Sequence, residues 1–320
     1  MRTEPAVRTT PSTEPGRRWR ARWSRGMVVA LAAITIAGGP FGAAEVRADP
    51  GAAAPPPALV ESCPVQVSTV QGVAVEIKVH NAKPHHFIVP QQQAAATAYD
   101  QEAAALNAKK NAAMANLGSC AAATNRLSAG GKLMKPKPQT EDRLKRGQAA
   151  LNGQAPPSYP AIKGNAKTKV WEPGRPLYEA LRDTAPDQKQ LGNIALQSKN
   201  WPEAESPDPA YPPEDGRTIG TNDDGTPKVE ADHIVPLARL FYIPGFVKLP
   251  PRYMYQVAHS PMNLQWLSPK ANRSKQAGEA AVVTGADPNW VQEQQELELR
   301  VVAQLTEIIK QILESLGIEI

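Results

Sequence analysis

Cysteine is almost missing from these 320 residues: Cys63 and Cys120 are the only two. Two thiols exclude a disulfide-dense scaffold and cannot build a four-cysteine zinc site. Aromatic residues are sparse, at 5%, and 32 prolines with 22 glycines break the chain into stretches without a clear period. That balance predicts compact parts joined by irregular chain. No internal repeat is visible, which removes repeat architectures. Histidine is also scarce, with five in the chain, and one of them, His233, stands directly beside Asp232.

Long hydrophobic runs are lacking too. The one candidate, MVVALAAITIAGG at 27–39, contains Gly38 and Gly39, is followed by Pro40, and is shorter than the about 20 residues of a spanning helix. Arg17, Arg18, Arg20, Arg22 and Arg25 precede it and the small-x-small triplet VRA (46–48) follows, so residues 1–48 read as a signal peptide cleaved before Asp49. A retained anchor is the alternative reading, and the twin arginine in GRRWRAR (16–22) leaves the export route open. The expected location is secreted or cell-envelope, with no stable membrane association after cleavage. Removing 1–48 takes away eight of 36 basic and three of 31 acidic residues and leaves 28 of each. The pI of about 9.1 is therefore no argument for nucleic-acid binding; a basic site has to be local.

In an exported chain, Cys63 and Cys120 are expected to pair, closing a loop of about 57 residues and stabilising by about 2 to 4 kcal/mol. VQVSTVQGVAVEIKVH (65–80) alternates apolar and polar residues around Gly72, which predicts a β-hairpin. Residues 91–127 are rich in Ala, Gln, Asn and Lys without proline and predict one long helix. Strand pair and helix together make an N-terminal module over 49–127. HNAKPHH (80–86) is read as a polar turn rather than a metal cluster. Residues 128–160 mix Gly, Pro and charge and read as a linker with one short helix. From 161 the aromatic density rises, marking a second domain over 161–286 with a helix near 173–184 and a turn at 221–227. Residues 287–320 open with Asp287 and Pro288 and repeat Leu297, Val301, Leu305, Ile308, Ile312 and Leu316 at helical spacing. This amphipathic helix packs on its own domain or, as the second choice, forms a dimer.

The chemistry concentrates in the second domain. KVEADHIVP (228–236) reads as a strand that follows a turn, and HSPMNLQWL (259–267) precedes SPKANRSK (268–275), where Ser268 can cap a helix begun by Pro269. The order is strand, loop, strand, helix. DHIVP, NLQWL and NRSK together resemble the motif of the HNH endonuclease family, with Asn263 and Asn272 nine residues apart and Asn272 and Lys275 three apart. The resemblance covers about 229–276. It implies an α+β fold with a ββα-metal (HNH) core elaborated by added helices and long loops. It also implies catalytic roles for His233, as general base, and Asn263, as the brace that orients it. Asp232 and Asn272 become the ligands of one divalent metal ion. Glu230, two residues before Asp232 on the same strand face, is a candidate to stand behind them. His259, four residues before Asn263, is another, although a loop histidine with a structural hydrogen bond is the preferred reading of it.

A neutral imidazole suits the base role, and a carboxylate with an amide oxygen suits a hard cation, so Mg or Mn is expected before Zn. Where many relatives carry a Cys-x-x-Cys zinc pair, this chain has Ser268 and Ala271. The helix must therefore be held by apolar packing, with Trp266 and Leu267 as candidates. Between 228 and 275 seven basic residues face two acidic ones, and Lys270, Arg273 and Lys275 are the expected phosphate contacts. No recognition helix or zinc finger is visible, so little sequence specificity is expected. The reading is a secreted metal-dependent endonuclease acting on DNA, with RNA open. The alternatives are a non-catalytic surface protein that keeps the unit as a scaffold, and a toxin nuclease used against competitors.

Overall fold

The computed structural model describes residues 57–88, 90–128, 133–160, 168–275 and 278–320, together with two paired two-residue strands, β1 (Ile36–Ala37) and β2 (Glu45–Val46). Apart from that strand pair, the expected signal peptide lies outside the described residues. None of the described helices is long and apolar enough to cross a membrane. The fold mixes helices with small antiparallel strand pairs, an α+β composition.

The expected hairpin at 65–80 is instead a helix, α2 (Pro64–Asn81), which follows the short α1 (Pro57–Ser62). The valines that suggested alternation also recur at helical spacing: Val67, Val73 and Ile77 are buried and Val70 half-buried, while Val65, Val75 and Val79 face out. Pro64 can start a helix, Gly72 stands in open space with no turn to make, and Ala103, Leu106 and Ala113 of the next helix, α3 (Gln93–Ser128), cover the buried face. Tertiary packing overrides the local β preference of valine. His80 belongs to this helix, stacked on Tyr99 at a 4.1 Å centroid distance and paired with Glu102.

Helix α3 (Gln93–Ser128) is the long helix expected from composition, and Cys63 and Cys120 form the disulfide. The helix anticipated in the linker is α4 (Pro138–Ala150), and its Leu144 is fully buried. The main core is continuous across these segments. Leu117 and Leu127 of α3 and Leu144 meet Leu181 of α5 (Arg175–Arg182), Val257 of α8 (Pro251–Ala258), and Leu305 and Ile309 of α10 (Pro288–Ser315). Asp287 caps α10 by accepting from the Asn289 and Trp290 amides, and the apolar stripe of α10 packs on its own chain. After the short α6 (Gln188–Leu191) comes a tight hairpin, β3 (Gly220–Thr221) with β4 (Pro227–Lys228). Strand β5 (Glu230–His233) pairs with β6 (Leu264–Leu267), and between them lie α7 (Leu237–Leu240) and α8. Helix α9 (Pro269–Lys275) follows β6 directly.

Candidate functional site

The antiparallel register sets Asp232 opposite Gln265 and His233 opposite Leu264. Glu230 and Asp232 share one strand face by the two-residue period. Helix α9 lies across that face. It starts where the Ser268 hydroxyl accepts the Ala271 amide, and it is held by Ala271 packing with Leu267, Tyr211 and Trp290. Leu267 thus has the anchoring place expected for it, whereas Trp266 packs in a separate cluster with Val229 and Leu264, its indole N–H donating to the Ile194 carbonyl. Two α9 side chains three residues apart reach down: the Asn272 amide donates to Glu230 at 2.7 Å, and the Lys275 ammonium donates to Asp232 at 2.8 and 3.1 Å.

Lys275 departs from its expected role. It is 2% exposed, is ion-paired with Asp232, which is 4% exposed, and also donates to the His233 carbonyl at 2.5 Å. A phosphate outside cannot reach that ammonium. Lys270 and Arg273 point out to solvent as a phosphate contact requires.

Asn263 is fully buried and works as a brace. Its side-chain oxygen accepts the Val235 amide at 2.9 Å and its nitrogen donates to the Val235 and Ala258 carbonyls, while its own carbonyl accepts from the Ile234 amide. Three of these four bonds fix the chain as it leaves His233, and the fourth ties it to the end of α8.

His233 is half-buried, and its Nε2 lies 3.0 Å from Nδ1 of the fully buried His259 at the end of α8. Burial, the His259 ring and the Lys275 charge, in that order, push the His233 imidazole well below its ordinary value. Burial lowers His259 to about 3, offset only in part by the nearby Leu181 carbonyl. Both rings are therefore neutral at pH 7. His259 Nε2 is buried without a hydrogen-bond partner, so nothing on its far side fixes which ring carries the shared proton; with that proton on His233 Nε2, His233 keeps the Nδ1 lone pair that a base needs. Nothing in the spacing between 233 and 259 announced this pairing.

The donors suit a hard divalent ion in kind: a carboxylate at Asp232, an amide oxygen at Asn272 and the Glu230 carboxylate beside it. In place, Asp232 already holds a cation, the ammonium of Lys275, which marks these oxygens as a seat for positive charge. Among the described residues no three or more His, Cys, Asp or Glu side chains converge as a ready-made metal cluster.

Behind the site, Arg239 of α7 bonds Glu298 of α10 at 2.6 Å and approaches Glu279 at 3.4 Å. Burial drives Glu298, 4% exposed, up to about 7, with Arg239 pulling the other way and Glu279 adding to the rise. Its raised value makes the folded state the better proton binder between pH 4.5 and 7, so its contribution is present at low pH and is lost as pH rises through 7. His259 has the opposite sign: its contribution is present above pH 6.5 and is lost as pH falls toward 3. The two slopes oppose each other between pH 7 and pH 5. Glu298→Gln removes one of them, and denaturant unfolding is expected to show the variant losing about 2 kcal/mol more than the parent over that interval. Identical pH dependence in both proteins would contradict this.

No protein-family model, curated protein or solved structure matches the chain.

Proposed function

We propose that the chain is a secreted, metal-dependent endonuclease of the HNH type that hydrolyses phosphodiester bonds in DNA and, as a second substrate, RNA. The observation that carries the reading is the closure of α9 over β5. Residues some forty positions apart converge there, Asn272 on Glu230 and Lys275 on Asp232, next to a histidine with one free ring nitrogen. His233 Nδ1 takes a proton from water, whose oxygen attacks phosphorus as the bond to the 3′ oxygen breaks; the leaving oxygen takes a proton from solvent, and the products carry a 5′ phosphate and a 3′ hydroxyl. His259 holds the ring in place through its hydrogen bond to Nε2, and Asn263 holds the strand end. A divalent ion bound by Asp232 and Asn272 would screen the charge on the scissile phosphate.

A second reading, a non-catalytic exported scaffold, draws support from one observation: Asp232 already carries its own ammonium partner. Cleavage of supercoiled plasmid and of RNA by the full chain in Mg, Mn, Zn or EDTA separates the two. Metal-dependent nicking that EDTA abolishes is expected. No cleavage under any metal, from protein with a cooperative melting transition, would leave the scaffold reading standing.

A further inference from the structure

A cleft of about 530 Å³ opens between the β3–β4 hairpin and the start of α9. Arg217, Lys228, Lys270 and Arg273 line it, against a single carboxylate, Asp208. Asp208 is buried and accepts the Ala210 amide, so part of its charge is engaged by backbone. Arg217 is not a loose surface arginine. Its guanidinium lies 4.0 Å from the centre of the buried Tyr211 ring, and Asp215 holds its Nε at 3.2 Å. Lys270 approaches the same ring at 5.9 Å. The aliphatic stem of Lys228 lies beside Gly220, its partner across the β3–β4 pair.

We propose that this cleft is the seat of the substrate's phosphate backbone, with Arg217 and Lys228 as strand-binding residues beside Lys270 and Arg273. The choice of a nucleic-acid strand as ligand rests on the nuclease reading; the placement rests on the geometry. The cleft is continuous with the candidate site by chain: Lys228 precedes Glu230 by two residues, and Arg273 adjoins Asn272. Helix α9 turns Asn272 and Lys275 inward, while Lys270 and Arg273 are exposed. A strand lying in the cleft would pass the inner residues, and Arg217 would fix its register as a planar donor. Such contacts set position along a strand and carry no base preference.

The test is fluorescence anisotropy of a labelled oligonucleotide, DNA and RNA in turn, with the full chain in EDTA so that nothing is cut. Arg217→Ala with Lys228→Ala is expected to weaken binding about tenfold and to flatten the dependence of log K on log salt by about two units. Lys228→Glu, on an exposed strand, keeps the test valid should the Arg217 change unsettle Tyr211; it too must weaken binding. Unchanged affinity and salt slope in both variants would overturn the proposal, as would polyglutamate binding as tightly as the strand. Binding that responds to the variants, with no cleavage when Mg or Mn replaces EDTA, supports the cleft and removes the nuclease reading. Cleavage with indifferent variants does the reverse.

Discussion

His233→Ala is expected to lower phosphodiester cleavage by about a thousandfold while leaving the fold intact, the scale of a lost general base. The side chain is half-buried and makes one hydrogen bond of its own, to His259, so its removal leaves a small gap and one neutral acceptor unmet. The loss is chemical before it is structural. Because burial, the His259 ring and the Lys275 charge push the imidazole well below its ordinary value, the acid limb of the rate profile should lie below the pH at which a free imidazole titrates. His259→Ala should reduce the rate less and disturb the profile, since His259 touches the base and not the substrate. Measured kcat/KM on plasmid across pH 5 to 8 checks both statements. Full activity in His233→Ala would remove His233 as the base.

Lys275→Met is expected to destabilise the chain by about 3 to 5 kcal/mol in denaturant unfolding, the magnitude of a buried charge left without its partner. Methionine fills nearly the same space, so packing is spared and the electrostatic loss stands out. Asp232 would retain only the Gln265 amide, which donates to it at 3.1 Å, and the His233 carbonyl would lose its donor. The same change vacates the cation seat. Mn should therefore stabilise Lys275→Met far more than the parent, by mass action at a site freed of its competitor. Adding Asp232→Asn to Lys275→Met should restore much of the stability and abolish the response to Mn. An equal Mn response in parent and single variant would mean that ammonium and ion do not share the seat.

Much of the candidate site was legible in the chain. The order β5, β6, α9 followed from short periodic runs and turn residues, and the bracing role of Asn263 was implied by the resemblance of NLQWL to the motif. Helix α10 was marked at its start by Asp287 and Pro288 and along its face by a three-and-four spacing. The failures share one cause: contact between segments that spacing does not encode. In α2, valines compatible with either period became helical because α3 supplied a partner surface. Lys275 was read as a phosphate contact from its charge, yet the direction in which α9 faces β5 buried it. His259 was named as a candidate to stand behind the site, but its bond to His233 depends on the path of α7 and α8, and Arg217 lies outside the motif altogether.

The continuous core has a consequence for anyone wishing to transplant the ββα unit. Leucines of α3 and α4, long before β5 and β6 in the chain, form part of the wall on which α8 rests, and α8 delivers His259. A cut near 128 or 160 would not release an autonomous cassette; it would strip one side from a shared interior and leave the two histidines without a floor. The unit behaves less like a tool in a detachable handle than like a keystone, in place only while the whole arch stands.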